Sequence, residues 1–209
     1  MKIAMINGSP KKCKSSSGAL INDLKTCFSS DIYIKNYEFS TPKVSDNTIL
    51  ELNDFDSLVF SFPLYVDGIP SHLLSVLCYM EEIGFKNKNI RVYCIVNSGF
   101  YEGLQNRIAI NILKNWCNKV GLKWGLGIGI GGGGALASME QCPLFKGPKK
   151  SLGKAFKELS DNIIKDAYAE DIFISVNLPR IAYKLAAEMG WKSKIKENGL
   201  TVKDLDRQL

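Results

Sequence analysis

Short, near-continuous apolar runs alternate along this chain with segments whose apolar residues recur every three or four positions, and that alternation restricts the fold more than any other feature. The first run is Ile3–Ile6, closed by Asn7-Gly8-Ser9-Pro10. Leu20, Ile21, Leu24 and Phe28 then share one helical face. Ile32 and Ile34 alternate with Tyr33 and Lys35, as in a half-buried or edge strand, and a short helix is expected near Thr48–Leu52. Leu58–Phe62 and Val92–Val96 are apolar at every step but one, as strands buried on both faces require. Between them Pro70 and Ser71 open a helix carrying Leu73, Leu74, Leu77, Met80 and Ile83. Ile108, Ile112, Trp116 and Val120 predict a further helix, and so do Leu152, Ala155, Phe156, Leu159 and Ile163. Trp124–Ile130 alternates glycine with large apolar residues, a strand with one bare face that something can approach closely.

Strands joined by helices imply a parallel sheet covered on both faces, with right-handed crossovers. Five strands in this arrangement suit the order 2-1-3-4-5, whose ligands sit beyond the carboxyl ends of the strands at the switch point between the first and third. The expected organisation is one α/β domain over residues 1–170 and a helical C-terminal extension over 171–209. In the extension, Asn177-Leu178-Pro179-Arg180 leads into a helix with Ile181, Leu185 and Met189, followed by Trp191 and several lysines. Such a basic helix suits capping, a dimer contact or a membrane surface; the first two are expected, and no membrane association.

The chain has 209 residues, 45% hydrophobic and 23% charged, enough to bury a core without disulfides or metals. No apolar run reaches the roughly 18 residues of a membrane span, and Ile3–Ile6 is too short for the core of a secretory signal. The six cysteines, at 13, 27, 78, 94, 117 and 142, include no CxxC pair. Reduced thiols and a cytoplasmic location are therefore expected, with no metal site. The net charge of +6 suits anionic ligands or a merely solvated lysine-rich surface, and no nucleic-acid motif accompanies it.

Three loops carry the chemistry. The first, Asn7 to Gly18, joins a strand to a helix. Glycine and small hydroxyl residues let backbone N–H groups close on an oxyanion, the helix N-terminus adds positive potential, and Ser9, Ser15, Ser16 and Ser17 are candidate phosphate donors. The alternative is a serine-rich turn with an N-cap. Neither GxxxxGK[ST] nor GxGxxG is present. Lys11, Lys12 and Lys14 in this loop read first as a solvated lysine run, and otherwise as groups that meet the 2′-phosphate of a nucleotide. The second loop, Pro63-Leu64-Tyr65-Val66-Asp67-Gly68 up to Pro70, is a rigid turn where Tyr65 has the shape to lie against a flat ring, or else a plain strand-to-helix turn. The third, Asn97-Ser98-Gly99-Phe100-Tyr101-Glu102-Gly103, has the same mixture of glycine, aromatic and polar groups. Convergence of all three on one switch point is far more specific than any one alone.

Asn7-Gly8-Ser9-Pro10, Pro63-Leu64-Tyr65 with Pro70, and Ser98-Gly99 with Gly103 together resemble the NAD(P)H-dependent FMN reductase group of flavodoxin-like proteins, over roughly residues 1–165. The resemblance implies FMN held at its phosphate by Ser9 and Ser15–Ser17, with Lys11 nearby. The flavin ring would rest against Pro63, Leu64, Tyr65, Val66, Asp67 and Gly68 on one loop and Asn97, Ser98, Gly99, Phe100 and Gly103 on the other. It implies NAD(P)H as reductant, a small-molecule electron acceptor, a homodimer, and no catalytic side chain, since the flavin does the hydride and electron chemistry. The iron–sulfur branch of these proteins carries a compact cysteine cluster that this chain lacks between Cys27 and Cys78. The alternative is a flavodoxin-type electron carrier; such carriers tend to be acidic, and this chain is basic. Gly131–Gly134, with a loop expected over Ala135–Gly147, reads equally as a lid or substrate wall beside the site or as a close-packed turn. His72, the only histidine, reads as structural or solvent-facing.

Overall fold

A computed structural model describes residues 1–139 and 141–206. It divides into two units, Met1–Val176 and Asn177–Leu209. The first unit is built on a parallel sheet of β1 (Lys2–Asn7), β2 (Tyr33–Glu38), β3 (Ser57–Pro63), β4 (Arg91–Asn97), β5 (Lys123–Ile130) and β6 (Ile172–Ile174), in the order 2-1-3-4-5-6. The helices are α1 (Ser16–Lys25), α2 (Asp46–Glu51), α3 (Ser71–Ile83), α4 (Arg107–Val120), α5 (Gly133–Ser138) and α6 (Lys150–Ile164).

The expectation of five strands is corrected to six. β6 is only Ile172-Phe173-Ile174, too short to show a period of its own, and context makes it a strand. It pairs with Ile128–Ile130, and its neighbour Asp171 accepts the Gly127 N–H at 2.8 Å and the Trp124 indole N–H at 3.3 Å. The edge strand β2 begins at Tyr33, one residue past Ile32, and buries Tyr37 rather than an isoleucine.

Strand alternation sends Ala4, Ile6, Leu58, Phe60, Val92 and Cys94 to one face, where they meet α3 and α4 around Trp116. The Trp116 indole N–H donates to the Leu77 carbonyl at 2.9 Å, and its ring takes the edges of Phe60 and Phe85 at 6.1 Å each. α1, α5 and α6 cover the opposite face. In α4 the buried stripe is Ala109, Ile110, Leu113, Trp116, Cys117 and Val120, while Ile108 is exposed. All six cysteines are free; Cys94 and Cys117 are buried, and burial pushes both thiols up.

The loop expected over Ala135–Gly147 is corrected at its start, where α5 runs through Ser138; before it, Gly131 and Gly133 are closely packed, an added Cβ lying 2.0 Å from the Tyr101 carbonyl oxygen and 2.5 Å from the Asn97 Cβ, respectively. Glu140, within the expected loop, and residues 207–209 of the expected extension lie outside the described residues. The second unit, taken by itself, contains α7 (Arg180–Glu197), which starts after Pro179, and a 3-10 turn over Val202–Asp206. Among the described residues no helix is long and apolar enough to cross a membrane.

Candidate functional site

At the carboxyl edge of the sheet, the ends of β1, β3 and β4 are bound to one another. The Gly8 N–H donates to the Ser61 carbonyl at 2.8 Å, the Leu64 N–H to the Asn97 carbonyl at 2.8 Å, and the Ser98 N–H to the Ile130 carbonyl at 3.0 Å. These bonds carry the ladder past the strands and bring the three loops to one rim. His72 adds a tie from α3: its Nε2 lies 3.2 Å from the Gly8 carbonyl oxygen. A carbonyl only accepts, so the Nε2–H tautomer is the one that makes this bond.

Asn7, buried at the end of β1, organises the first loop. Its Oδ1 accepts the Ser9 N–H at 3.1 Å, and its Nδ2 donates to Ser15 Oγ at 3.1 Å and to Glu38 Oε2 at 2.8 Å. Ser15 is the N-cap of α1; its Oγ also accepts the Gly18 N–H at 3.0 Å. With two donors on its oxygen, the Ser15 hydroxyl has only its own proton left to offer. A helix leaves its first N–H groups without intrahelical partners. The cap takes that of Gly18, and those of Ser16 and Ser17 remain for a ligand, at the positive end of the helix.

Asn97 ties the third loop to the same helix. Its Nδ2 donates to Ser17 Oγ at 3.0 Å and to the Phe62 carbonyl at 3.1 Å, and Ser61 Oγ donates to the Ser17 carbonyl at 3.0 Å. Ser17, 1% exposed, is thus a fixed part of the wall.

The loops enclose a hollow of about 240 Å³. Ser9, Lys11, Ser16 and Ser17 line it from the first loop, Pro63, Leu64 and Tyr65 from the second, and Asn97, Ser98 and Gly99 from the third. Gly134 of α5, from the glycine run read as a lid or wall beside the site or as a close-packed turn, completes the wall. Ser15 stands behind this lining. Val66, Asp67 and Gly68 lie outside it, in a two-residue turn closed by reciprocal bonds between Tyr65 and Gly68. Phe100 is exposed beyond the rim. Gly103 is buried against β5 and β6, where an added Cβ would lie 2.3 Å from the Ile174 carbonyl oxygen and 2.4 Å from that of Gly129. It answers the bare face of β5: the 3-10 turn Gly103–Asn106 is what approaches there.

Lys11 and Tyr65 are the only titratable side chains in the lining. The arrangement therefore suits holding an anion and a flat ring, rather than general acid–base chemistry. Among the described residues no group of three or more histidine, cysteine or acidic side chains is placed to hold a metal ion.

A second, larger hollow of about 760 Å³ opens on the other side of the first loop, between α1 and the end of β2. It shares Ser16 and Gly134 with the first. Glu38 lies in its lining with a carboxyl raised by desolvation, against the lowering effect of the Asn7 hydrogen bond and Lys25. Nothing in the sequence reading singled out Glu38; an acid ending the second strand of a parallel sheet was the available signal.

The sheet order, with its reversal between β1 and β3, decides the architecture. The fold is flavodoxin-like. Solved structures agree. NAD(P)H:quinone oxidoreductase from Methanothermobacter marburgensis superposes with a TM-score of 0.56 at 14% identity, covering 76% of this chain and 96% of that one. A Streptococcus pneumoniae flavodoxin gives 0.53 at 8% identity, over 80% and 100% of the two chains. An FMN-dependent NADH-azoreductase from Bacillus anthracis, solved in complex with FMN, gives 0.51 at 18% identity, over 80% and 100%. No family profile matches this flavodoxin-like chain, and no curated protein does.

Proposed function

We propose that this chain is an FMN-dependent NAD(P)H oxidoreductase, passing electrons from a nicotinamide cofactor through bound FMN to a flavin, quinone or similar small acceptor. The observation that carries the reading is the convergence of three strand-end loops on a hollow whose first wall offers the α1 N-terminus, Ser9 and Lys11. That donor set fits a phosphate monoester: it combines amide N–H groups, a hydroxyl and an ammonium, with no carboxylate in the lining. Tyr65, half-exposed, and the backbone of Ser98 and Gly99 would flank the ring. FMN bound there supplies the hydride and electron transfer; the protein binds, orients and shields it. The positive net charge of +6 favours an enzyme with anionic substrates over a carrier.

The test is a fluorescence titration of purified protein with FMN and with riboflavin, followed by NADH and NADPH oxidation with a quinone acceptor. FMN should bind at least tenfold tighter than riboflavin, and either nucleotide should be turned over. Equal affinities would remove the phosphate cradle. Tight FMN binding without turnover would make the chain an electron-transfer flavodoxin.

A further inference from the structure

We infer that the larger hollow between α1 and β2 is a second nucleotide site, which takes the adenosine diphosphate half of a pyridine nucleotide and selects NADH over NADPH. Its volume, about 760 Å³, falls in the range of pockets that bury a nucleotide-sized ligand. Lys12 and Lys14 at its mouth and Lys25 along α1 supply three ammonium groups against the single carboxylate of Glu38. Excess positive charge on a concave wall recruits a polyanion. Lys25 is half-buried, and desolvation lowers its pKa in spite of Glu38, so its charge is short of partners that a phosphate would provide. The lining is mixed: Met5, Ala19, Ile21 and Ala137 add apolar atoms beside Asn7, Asn22 and Asn36, a combination that suits a purine with its hydrogen-bonding edge better than a bare phosphate.

Glu38 fixes the specificity. It ends β2, the place from which an acidic side chain in doubly wound sheets accepts the hydroxyls of a nucleotide ribose. The Asn7 amide holds one carboxylate oxygen at 2.8 Å, and a carboxylate has further lone pairs for a diol. An unmodified ribose offers two donors there. A 2′-phosphate brings a second negative charge to the same place and is repelled. Ser16 and Gly134 line both hollows, so the second lies directly beside the flavin cradle.

Naming a pyridine nucleotide rests on the reductase reading; the nucleotide site does not. Isothermal titration of the FMN-saturated protein with ADP, AMP, 2′,5′-ADP (AMP carrying a 2′-phosphate) and inorganic phosphate tests it. ADP should bind at least tenfold tighter than phosphate and should not displace FMN, and AMP should bind at least tenfold tighter than 2′,5′-ADP. Lys12→Gln with Lys14→Gln should weaken ADP about tenfold. Glu38→Gln should narrow the AMP to 2′,5′-ADP ratio to near one, with FMN affinity measured in parallel on each variant. No ADP binding by FMN-saturated protein, phosphate binding as tightly as ADP, or an AMP to 2′,5′-ADP ratio unmoved in Glu38→Gln would each overturn the inference. Loss of FMN binding in the wild type would instead sink the reductase reading; the ADP titration would then be read on the flavin-free protein.

Discussion

The Asn97 side-chain amide lies 3.0 Å from Ser17 Oγ and thereby joins residues 80 positions apart, the end of β4 and the first turn of α1. The same nitrogen donates to the Phe62 carbonyl, so one amide holds all three site loops in register. Asn97→Ala leaves that carbonyl and hydroxyl without their donor in a buried place, at a cost of about 1–3 kcal/mol. Asn97→Asp should cost more, since a buried carboxylate then faces the Phe62 carbonyl oxygen, which can only accept. Urea denaturation measures both, and FMN titration should show affinity falling in step; an Asn97→Asp variant as stable as wild type would refute the arrangement.

Lys149 and Asp23 form an ion pair at 2.8 Å that fastens the turn before α6 to α1. Their surroundings differ: the lysine side chain is 1% exposed and the aspartate 22%. Asp23→Ala strands a buried ammonium and should cost about 3–5 kcal/mol. Lys149→Met leaves a carboxylate that water reaches and refills the buried volume with apolar atoms, so it should cost clearly less. Thermal unfolding of the two variants side by side decides it; the reverse order would mean that the lysine is hydrated.

How much of this was legible beforehand follows from how local each feature is. β3 and β4 announce themselves because strands covered on both faces are apolar throughout, and the three site loops because glycine, proline and serine cluster where strands end. β6 is invisible because three residues carry no period. The α4 stripe is legible in part: Trp116 and Val120 are buried and Ile112 packs against the core, while Ile108 at the same spacing is exposed and Ala109, Ile110 and Leu113 complete the buried face, a distinction that only packing makes. α5 begins in glycines of poor helix propensity, and tertiary contact overrides that preference. The role of Asn7 is equally non-local, since its partners lie 8 and 31 positions away.

Glycines near the site divide by what surrounds them. At Gly131 an added Cβ would lie 2.0 Å from the Tyr101 carbonyl oxygen, and at Gly103 it would meet two carbonyl oxygens; backbone on every side leaves no room to yield. Gly103→Ala and Gly131→Ala should each destabilise by more than about 3 kcal/mol, at the severe end of overpacking. Gly134, inside α5, has nothing within 4 Å of that position. Gly134→Ala should therefore stabilise by about 0.5–1 kcal/mol through helix propensity. Melting temperatures of the three variants would separate close packing from a flexible lid, for which all three would be tolerated.

The raised Glu38 carboxyl has a pH signature of defined sign. Its desolvation favours the protonated form in the folded state, so its contribution to stability is fully present below the unfolded value and is lost as pH rises through the folded one. Glu38→Gln stays uncharged and removes this term while its side-chain oxygen still accepts from Asn7. The stability of wild type minus that of the variant should therefore be level in acid, fall as pH climbs past about 4.5, and level off again above the folded-state value. Chemical denaturation between acid and neutral pH follows the difference. A difference that rises with pH would mean that the carboxylate is held in its charged form.

Val66 and Asp67, between Tyr65 and Gly68, both have positive φ, 48° and 56°. A β-branched residue there is an outlier, and the left-handed region costs an L-residue roughly 1–2 kcal/mol. The Val66 side chain is fully exposed, so no packing offsets the strain. Val66→Gly relieves it but loosens the unfolded chain, an opposing effect of about 0.4–1 kcal/mol. The net should be a gain of about 0.5–1 kcal/mol by these two magnitudes, whereas Val66→Pro, whose ring fixes φ near −65°, cannot form the turn at all. Urea midpoints give the stabilities, and FMN titration shows whether the strained turn is held for the ligand. If Val66→Gly is more stable yet binds FMN several-fold more weakly, the strain serves the site; if it is less stable than wild type, the turn is not strained.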